Sequence, residues 1–177
     1  MRLSSLSVLG IIAAQSLATA QETFDVSGMQ SWGLDGDFDN ETMSFFPTQG
    51  APFNVILEIA YDLNIQTLGN SLLSDVSVRF GNSTGTFDGG WPDVFNPGFA
   101  HDFSGRKRFV GSFLTDFQLN ADGELRFSLF ELSDDNPNAV DAVFLPGSTI
   151  TVSYFIPSPS SAVLLGMGGL LAVRRRR

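Results

Sequence analysis

Alternation between apolar and polar positions is the clearest pattern in this chain, and it predicts β-strands. Between residues 53 and 65 every odd position is apolar or aromatic, while most even positions carry Asn, Glu or Asp. A period of two over thirteen residues places one face of a strand in the core and the other in water. A helix would scatter the same side chains around its axis, so we predict a long, half-buried strand.

Shorter segments with similar patterns bring the prediction to about eight strands. They cover residues 24–26, 43–46, 76–80, 109–119, 125–129, 140–145 and 150–154. Turn residues at 120–123 and at Pro146-Gly147 predict two hairpins, and residues 82–108 read as long loops. We therefore predict an all-β fold, a β-sandwich or jelly-roll-like single domain over residues 21–156.

The first twenty residues have the pattern of a secretory signal peptide. A short basic start, Met1-Arg2, precedes a mostly apolar stretch from Leu3 to Leu17. Small residues at Ala18 and Ala20 then form an A-x-A cleavage site before Gln21. We predict an N-terminal signal helix over residues 1–20, and signal peptidase as the partner that removes it.

The last twenty-one residues have three parts in order. Pro157-Ser158-Pro159-Ser160 ends regular structure, Ala162–Val173 is apolar, and Arg174, Arg175, Arg176 and Arg177 close the chain. Twelve helical residues reach roughly 18 Å, against a hydrocarbon core about 30 Å thick. The segment therefore predicts a short C-terminal transmembrane helix that anchors the protein transiently, with the arginines on the cytoplasmic side of the membrane. An ordinary stop-transfer anchor is the alternative.

This order of parts resembles the C-terminal sorting signal called PEP-CTERM. Pro157 and Pro159 match the two prolines of its motif, and Ser158 stands where the glutamate of that motif would be. The resemblance implies recognition by an exosortase-like membrane protease and removal of the tail, residues 157–177. It also implies delivery of the protein to the surface or extracellular matrix of a bacterium.

The charge of the body excludes some partners. The chain has 10 basic and 19 acidic residues, and five of the basic ones lie in the two terminal segments. The body keeps five basic residues against 19 acidic ones, a net charge of −14. Such a domain repels nucleic acid and anionic lipid. No cysteine is present, so an exported form relies on its core or on a metal for stability.

An aspartate-rich segment is the best candidate for a cation site. Asp35, Asp37 and Asp39 are spaced like the start of an EF-hand loop, and calcium prefers carboxylate and carbonyl oxygens. Asn40 replaces the glycine at which that loop turns, and Phe46 replaces its bidentate glutamate, which excludes an EF-hand. A non-EF calcium site and a solvated hairpin edge both remain open. Asp134 and Asp135 form a weaker second candidate, and we predict no other cofactor.

The sequence carries weak signs of catalysis. Gly81 to Gly85 fits G-x-S-x-G around Ser83, but no helix pattern follows it as a nucleophile elbow requires. The single histidine, His101, beside Asp102 lacks a third group for an acid–base relay. Both segments are more typical of loops, and we predict that the protein is not an enzyme.

Aromatic residues favour either a core or a stacking surface. The seventeen phenylalanines predict a Phe-packed β-core. Trp32 and Trp91 are the better candidates for stacking on sugars. The first hypothesis is a structural or adhesive role at the cell surface. A carbohydrate-binding module, with an extracellular polysaccharide as partner and calcium as an aid, is the alternative, and a secreted hydrolase is the third.

Overall fold

The computed structural model describes residues 18–47, 55–83 and 94–156, and this part of the chain is all-β, without a helix. It has ten strands: β1 (Ala18–Asp25), β2 (Gln30–Ser31), β3 (Thr42–Phe45), β4 (Val55–Thr67), β5 (Val76–Asn82), β6 (Val94–Phe95), β7 (Arg106–Gln118), β8 (Leu125–Glu131), β9 (Ala142–Phe144) and β10 (Thr149–Ile156). They form two antiparallel sheets, consistent with a β-sandwich. The compact unit runs from Thr19 to Ile156.

Strand β4 is the centre of the first sheet. Strand β7 pairs with one edge of β4 over nearly its whole length, and β10 and β9 follow one another along the other edge. Strands β1 and β2 extend the sheet beyond β10 and β9. The second sheet has the order β3-β8-β5-β6. Since β4 pairs with three strands, its predicted alternation organises the whole first sheet.

The alternation in β4 is interrupted by a β-bulge. Ile59, Leu63 and Ile65 are buried, which confirms the predicted core face. The register against β10 shifts here, because Ile56 and Glu58 lie opposite the adjacent residues Tyr154 and Ser153. Leu57 is the extra residue of β4, and it is only half-buried, whereas Ile56 is buried. A bulge adds one residue to a strand and therefore reverses which parity faces the core. The prediction of a single core face from residue 53 onward is wrong before the bulge.

The predicted hairpin across residues 120–123 is wrong. A tight turn does form there, with the backbone N–H of Gly123 donating to the carbonyl of Asn120 at 2.9 Å. However, β7 pairs with β4 in the first sheet, and β8 pairs with β5 and β3 in the second. The turn therefore connects the two sheets. Turn chemistry fixes a reversal of the chain but does not decide which strand supplies the hydrogen bonds.

The second predicted hairpin, at Pro146-Gly147, is also wrong. Strands β9 and β10 do not pair with each other, because both pair with the same edge of β4. Phe144 lies opposite Ile65, and Thr149 lies opposite Asp62. Residues 145–148, between the two strands, form a short loop. Gly147 has φ +89° in this loop, which glycine adopts without strain. The two strands thus act as one interrupted strand.

Phenylalanine side chains join the two sheets, which confirms the predicted aromatic core. The ring of Phe80 in β5 lies 5.4 Å from that of Phe117 and 5.9 Å from that of Phe113, both in β7. Phe127 in β8 and Phe144 in β9 are also fully buried. These rings occupy the space between the sheets, where each large side chain contacts several others.

Several predicted segments lie outside the described residues. They are the signal helix up to Leu17 and the tail, which holds Pro157, Ser158, Pro159, the apolar run and the four arginines. Ala18, Ala20 and Gln21 of the predicted cleavage site belong to β1. Within the described ranges no helix is long and apolar enough to cross a membrane.

Candidate functional site: a buried acidic cluster

Two carboxylates are buried where the sheets approach each other. Glu131 is the last residue of β8, and Asp141 directly precedes β9. Both have 0% relative exposure. Removing an ionised carboxylate from water is costly unless a partner compensates for the lost hydration. This pair is therefore the feature of the described structure that most needs a chemical explanation.

Backbone hydrogen bonds hold both residues in place. The amide of Asp141 donates to the carbonyl of Ser31 in β2 at 2.8 Å, and the carbonyl of Asp141 accepts from the amide of Leu68 at 2.7 Å. The amide of Glu131 donates to the carbonyl of Gly33 at 2.9 Å. Segments from both sheets thus converge on the two acids, and their position does not depend on a single loop.

Hydroxyl and amide side chains satisfy one oxygen of each carboxylate. Oδ1 of Asp141 accepts from the Ser71 hydroxyl at 2.9 Å and from Nδ2 of Asn136 at 2.8 Å. Oε1 of Glu131 lies 3.5 Å from the Ser31 hydroxyl. We refer to Ser31, Ser71, Glu131, Asn136 and Asp141 as the buried acidic cluster.

The other carboxylate oxygens lack a hydrogen-bond partner. Oε2 of Glu131 and Oδ2 of Asp141 are buried, and no described donor reaches them. Burial first, and then the negative charge of Asp141, raise the pKa of Glu131 to about 8, against a lowering effect of the Ser71 hydroxyl. The charges of Asp75 and Asp135 also raise this pKa. Without a cation, Glu131 therefore keeps its proton at neutral pH.

A glycine makes room for the amide that organises the cluster. Gly69 has φ +59°, and a Cβ at this position would lie 2.1 Å from Oδ1 of Asn136. The backbone amide of Asn70 donates to that oxygen, while Nδ2 of Asn136 also donates to the carbonyl of Leu68 at 2.9 Å. The tight turn after β4 therefore fixes the orientation of Asn136 toward Asp141.

The sequence-predicted calcium residues occupy the exposed loop after β2. Oδ2 of Asp35 forms an ion pair with Arg79 at 2.7 Å. Oδ1 of Asp37 accepts from the backbone amide of Asp39 at 3.0 Å, as in an Asx turn. These contacts use oxygens that a cation would need. Calcium binding by Asp35, Asp37 and Asp39 stays a prediction.

The structure does bring parts of the two predicted calcium segments together. A Cβ on Gly33 would lie 3.1 Å from Oδ2 of Asp37 and 3.8 Å from Oδ2 of Asp134, so these carboxylates approach one another over this glycine. Asp135 contributes to the negative charge around Glu131. Among the described residues, however, no three His, Asp or Glu side chains are grouped to hold a metal.

The candidate catalytic residues lie at opposite ends of β7. Ser83 accepts a hydrogen bond at 2.9 Å from Asn120, just after the end of that strand. His101 contacts Lys107, near its start, and packs edge-on against Phe109. A thirteen-residue strand spans roughly 40 Å. Ser83 and His101 therefore do not form a nucleophile–base pair in this fold.

Of the two tryptophans predicted to stack on sugars, the structure describes one. Trp32 is half-buried, and its backbone amide donates to Oδ1 of Asn40 at 2.7 Å. Trp91 lies outside the described residues. Three consecutive basic residues, Arg106-Lys107-Arg108, begin β7. Arg108 pairs with Asp62, and Nε of Arg106 donates to Asn64 at 3.1 Å. These two arginines therefore contact polar side chains of β4.

Glu131 and Asp141 were not among the sequence-predicted sites, although the sequence carried a signal for one of them. Glu131 follows Leu125, Phe127 and Leu129 in the same alternating register, so it continues the core face of β8. An acid on the apolar face of a strand is a sign of a specific partner. Asp141 gave no comparable signal, because the predicted strand over residues 140–145 is apolar at both odd and even positions and does not show which face is buried.

Comparison with known proteins gives no relative for this chain: no protein-family model, curated protein or solved structure matches it.

Proposed function

We propose that this chain is an exported bacterial protein that is sorted through its PEP-CTERM-like tail. In this proposal the mature β-body has a structural or adhesive role at the cell surface or in the extracellular matrix. Signal peptidase removes residues 1–20, and an exosortase-like protease processes residues 157–177. The tail anchors the protein in the inner membrane only until that step.

The order of segments along the chain carries this proposal. A signal-peptide pattern precedes the body, and the Pro157-Ser158-Pro159 motif, the apolar run and the arginines follow it. The compact unit ends at Ile156, directly before Pro157. The proposed cleavage region therefore begins directly after the last described strand of the body, β10.

The composition of the body fits a role outside the cytoplasm without requiring it. It has no cysteine, so it does not depend on a disulfide for stability in either redox environment. Its net charge of −14 keeps it soluble and away from anionic membrane surfaces. Ser83 and His101 lie far apart, so a scaffolding role is favoured over hydrolysis by this pair.

Fractionation of the native cells tests the proposal. We expect the wild-type protein at the cell surface or in the medium. Replacing Arg174–Arg177 with alanine should leave export intact but weaken retention at the inner membrane before sorting, because the stop-transfer charges are gone. A wild-type protein that stays entirely in the cytosol would contradict the proposal.

Carbohydrate binding is the second candidate. Phe38 is fully exposed, at 103% relative exposure, on the loop that follows the half-buried Trp32. Exposed aromatic rings can stack on sugar faces. Polysaccharide pull-down by the wild-type protein that is lost in both Trp32→Ala and Phe38→Ala would support this function. Binding that is unchanged in both variants would remove this surface as the site.

A further inference from the structure

The negative charge of the buried acidic cluster has no basic counterpart. None of the ion pairs among the described residues involves Glu131 or Asp141. Asp75 and Asp135 add negative charge around Glu131. One proton would neutralise only one of these acids. A divalent cation supplies two positive charges and compensates for the buried pair directly.

The unpartnered atoms are hard oxygen donors. Oε2 of Glu131 and Oδ2 of Asp141 are both buried without a partner, while the second oxygen of each carboxylate is positioned by a serine. Hydrogen bonds to one oxygen fix a carboxylate so that the other can coordinate a metal, as outer-shell partners do in metal sites. The cluster thus has the arrangement of two oriented ligands.

The ligand chemistry favours calcium. Calcium accepts irregular sets of carboxylate, hydroxyl, carbonyl and water oxygens, whereas magnesium demands near-octahedral geometry and dehydrates reluctantly. Zinc and copper prefer nitrogen or sulfur ligands, and the cluster offers only Ser, Asn, Asp and Glu side chains. Two carboxylates with neutral oxygens suit a site of modest affinity.

We propose that Glu131 and Asp141 bind one calcium ion between the two sheets. Ser31, Ser71 and Asn136 orient the two carboxylates. The bound ion would connect the end of β8 to the segment before β9, and thereby link the second sheet to the first. This site is separate from the exposed loop that carries Asp35, Asp37 and Asp39.

Thermal unfolding of the purified full chain tests the proposal. We expect 5 mM CaCl₂ to raise the Tm of the wild-type protein by at least about 4 °C over its value in EDTA, since a ligand that binds only the folded state stabilises it. Glu131→Gln and Asp141→Asn should each abolish that rise. Asp39→Asn, which removes a charge from the exposed loop, should retain it. Magnesium at the same concentration should give a smaller rise.

Equilibrium dialysis with ⁴⁵Ca keeps the test decisive if a variant does not fold. The wild-type protein should bind one calcium ion per chain at the buried site, with a Kd in the range of roughly 10⁻⁴ to 10⁻³ M that is found in extracellular modules. The absence of both binding and a Tm shift in the wild-type protein would overturn the proposal. A shift lost in Asp39→Asn but kept in Glu131→Gln would assign calcium to the exposed loop and overturn it as well.

Discussion

At the scale of single residues, Glu131 has the most unusual environment in the described structure. Three apolar residues of β8 precede it on the same face, and the strand continues that face with an acid. An apolar residue there would improve the core at no cost in hydration. The acid is therefore best explained by what it does with its neighbours Ser31 and Asp141.

The pKa of Glu131 predicts how the stability of the calcium-free protein depends on pH. Its pKa is about 8 in the folded protein, against an ordinary value of 4.5. Between these values the folded state holds a proton that the unfolded state releases. The free energy of unfolding therefore falls as the pH rises from about 4.5 to 8, by at most about 5 kcal/mol from this group. Below pH 4.5 the contribution is complete and constant.

Urea denaturation in EDTA at pH 5, 6.5 and 8 measures this effect. Glu131→Gln cannot ionise, so it should lose less stability over the range than the wild-type protein and should exceed it at pH 8. Asp75 also has a raised pKa, caused by its burial and by Asp135 and Asp102, and this slope is common to both proteins. Parallel pH profiles for the two proteins would mean that Glu131 is not protonated at neutral pH.

At the scale of elements, β9 and β10 act together along one edge of β4. The short loop between them begins and ends at β4. At its start, the amide of Leu145 donates to the carbonyl of Asn64 in β4 at 2.8 Å. The amide of Ser148 then donates to the carbonyl of Leu145 at 3.2 Å. This closed turn depends on a backbone conformation that few residues adopt.

Gly147 is the residue on which that turn depends. Its φ of +89° is strained for alanine, although a Cβ would meet no atom within 4 Å. We expect Gly147→Ala to reduce the free energy of unfolding by about 1–2 kcal/mol. Gly147→Asn should lose less, because asparagine tolerates positive φ better. Urea denaturation measures both, and a fully stable alanine variant would contradict the turn geometry.

Most of the longer strands could be predicted from the sequence, but their partners and the two-residue strands β2 and β6 could not; β6 and the start of β7 lie in the segment predicted as loops. The alternation of residues 53–65 reflects which side chains face the core, and it correctly predicts that Ile59, Leu63 and Ile65 are buried. The partner of a strand depends on contacts distant in sequence. The turn at Gly123 therefore led to the prediction of a hairpin, whereas the chain crosses from one sheet to the other there. The bulge at Ile56 was likewise invisible, because one inserted residue changes the register without changing the composition.

The site was less predictable than the fold, for a related reason. Asp35, Asp37 and Asp39 are adjacent in sequence and attracted attention as a motif. Glu131 and Asp141 are ten residues apart, and two serines distant in sequence, Ser31 in β2 and Ser71 after β4, complete their surroundings. A cluster assembled by tertiary structure has no motif, and the remaining signal was the single acid on the core face of β8.

At the scale of the whole molecule, we propose that this acidic β-body works outside the cytoplasm. The core between the sheets is rich in phenylalanine, and the charge lies mainly on loops and outer faces. Such a body is stable without disulfides only if its core and its buried polar groups are well satisfied. The proposed calcium ion would satisfy the least compensated of these groups.

The intact mass of the protein recovered from its native cells tests the central claim most directly. The account predicts a mature chain that begins at Gln21 and ends near Pro157, well below the 19.1 kDa of the full sequence, in the surface or extracellular fraction. A full-length chain of 177 residues in the soluble cytosolic fraction would contradict it.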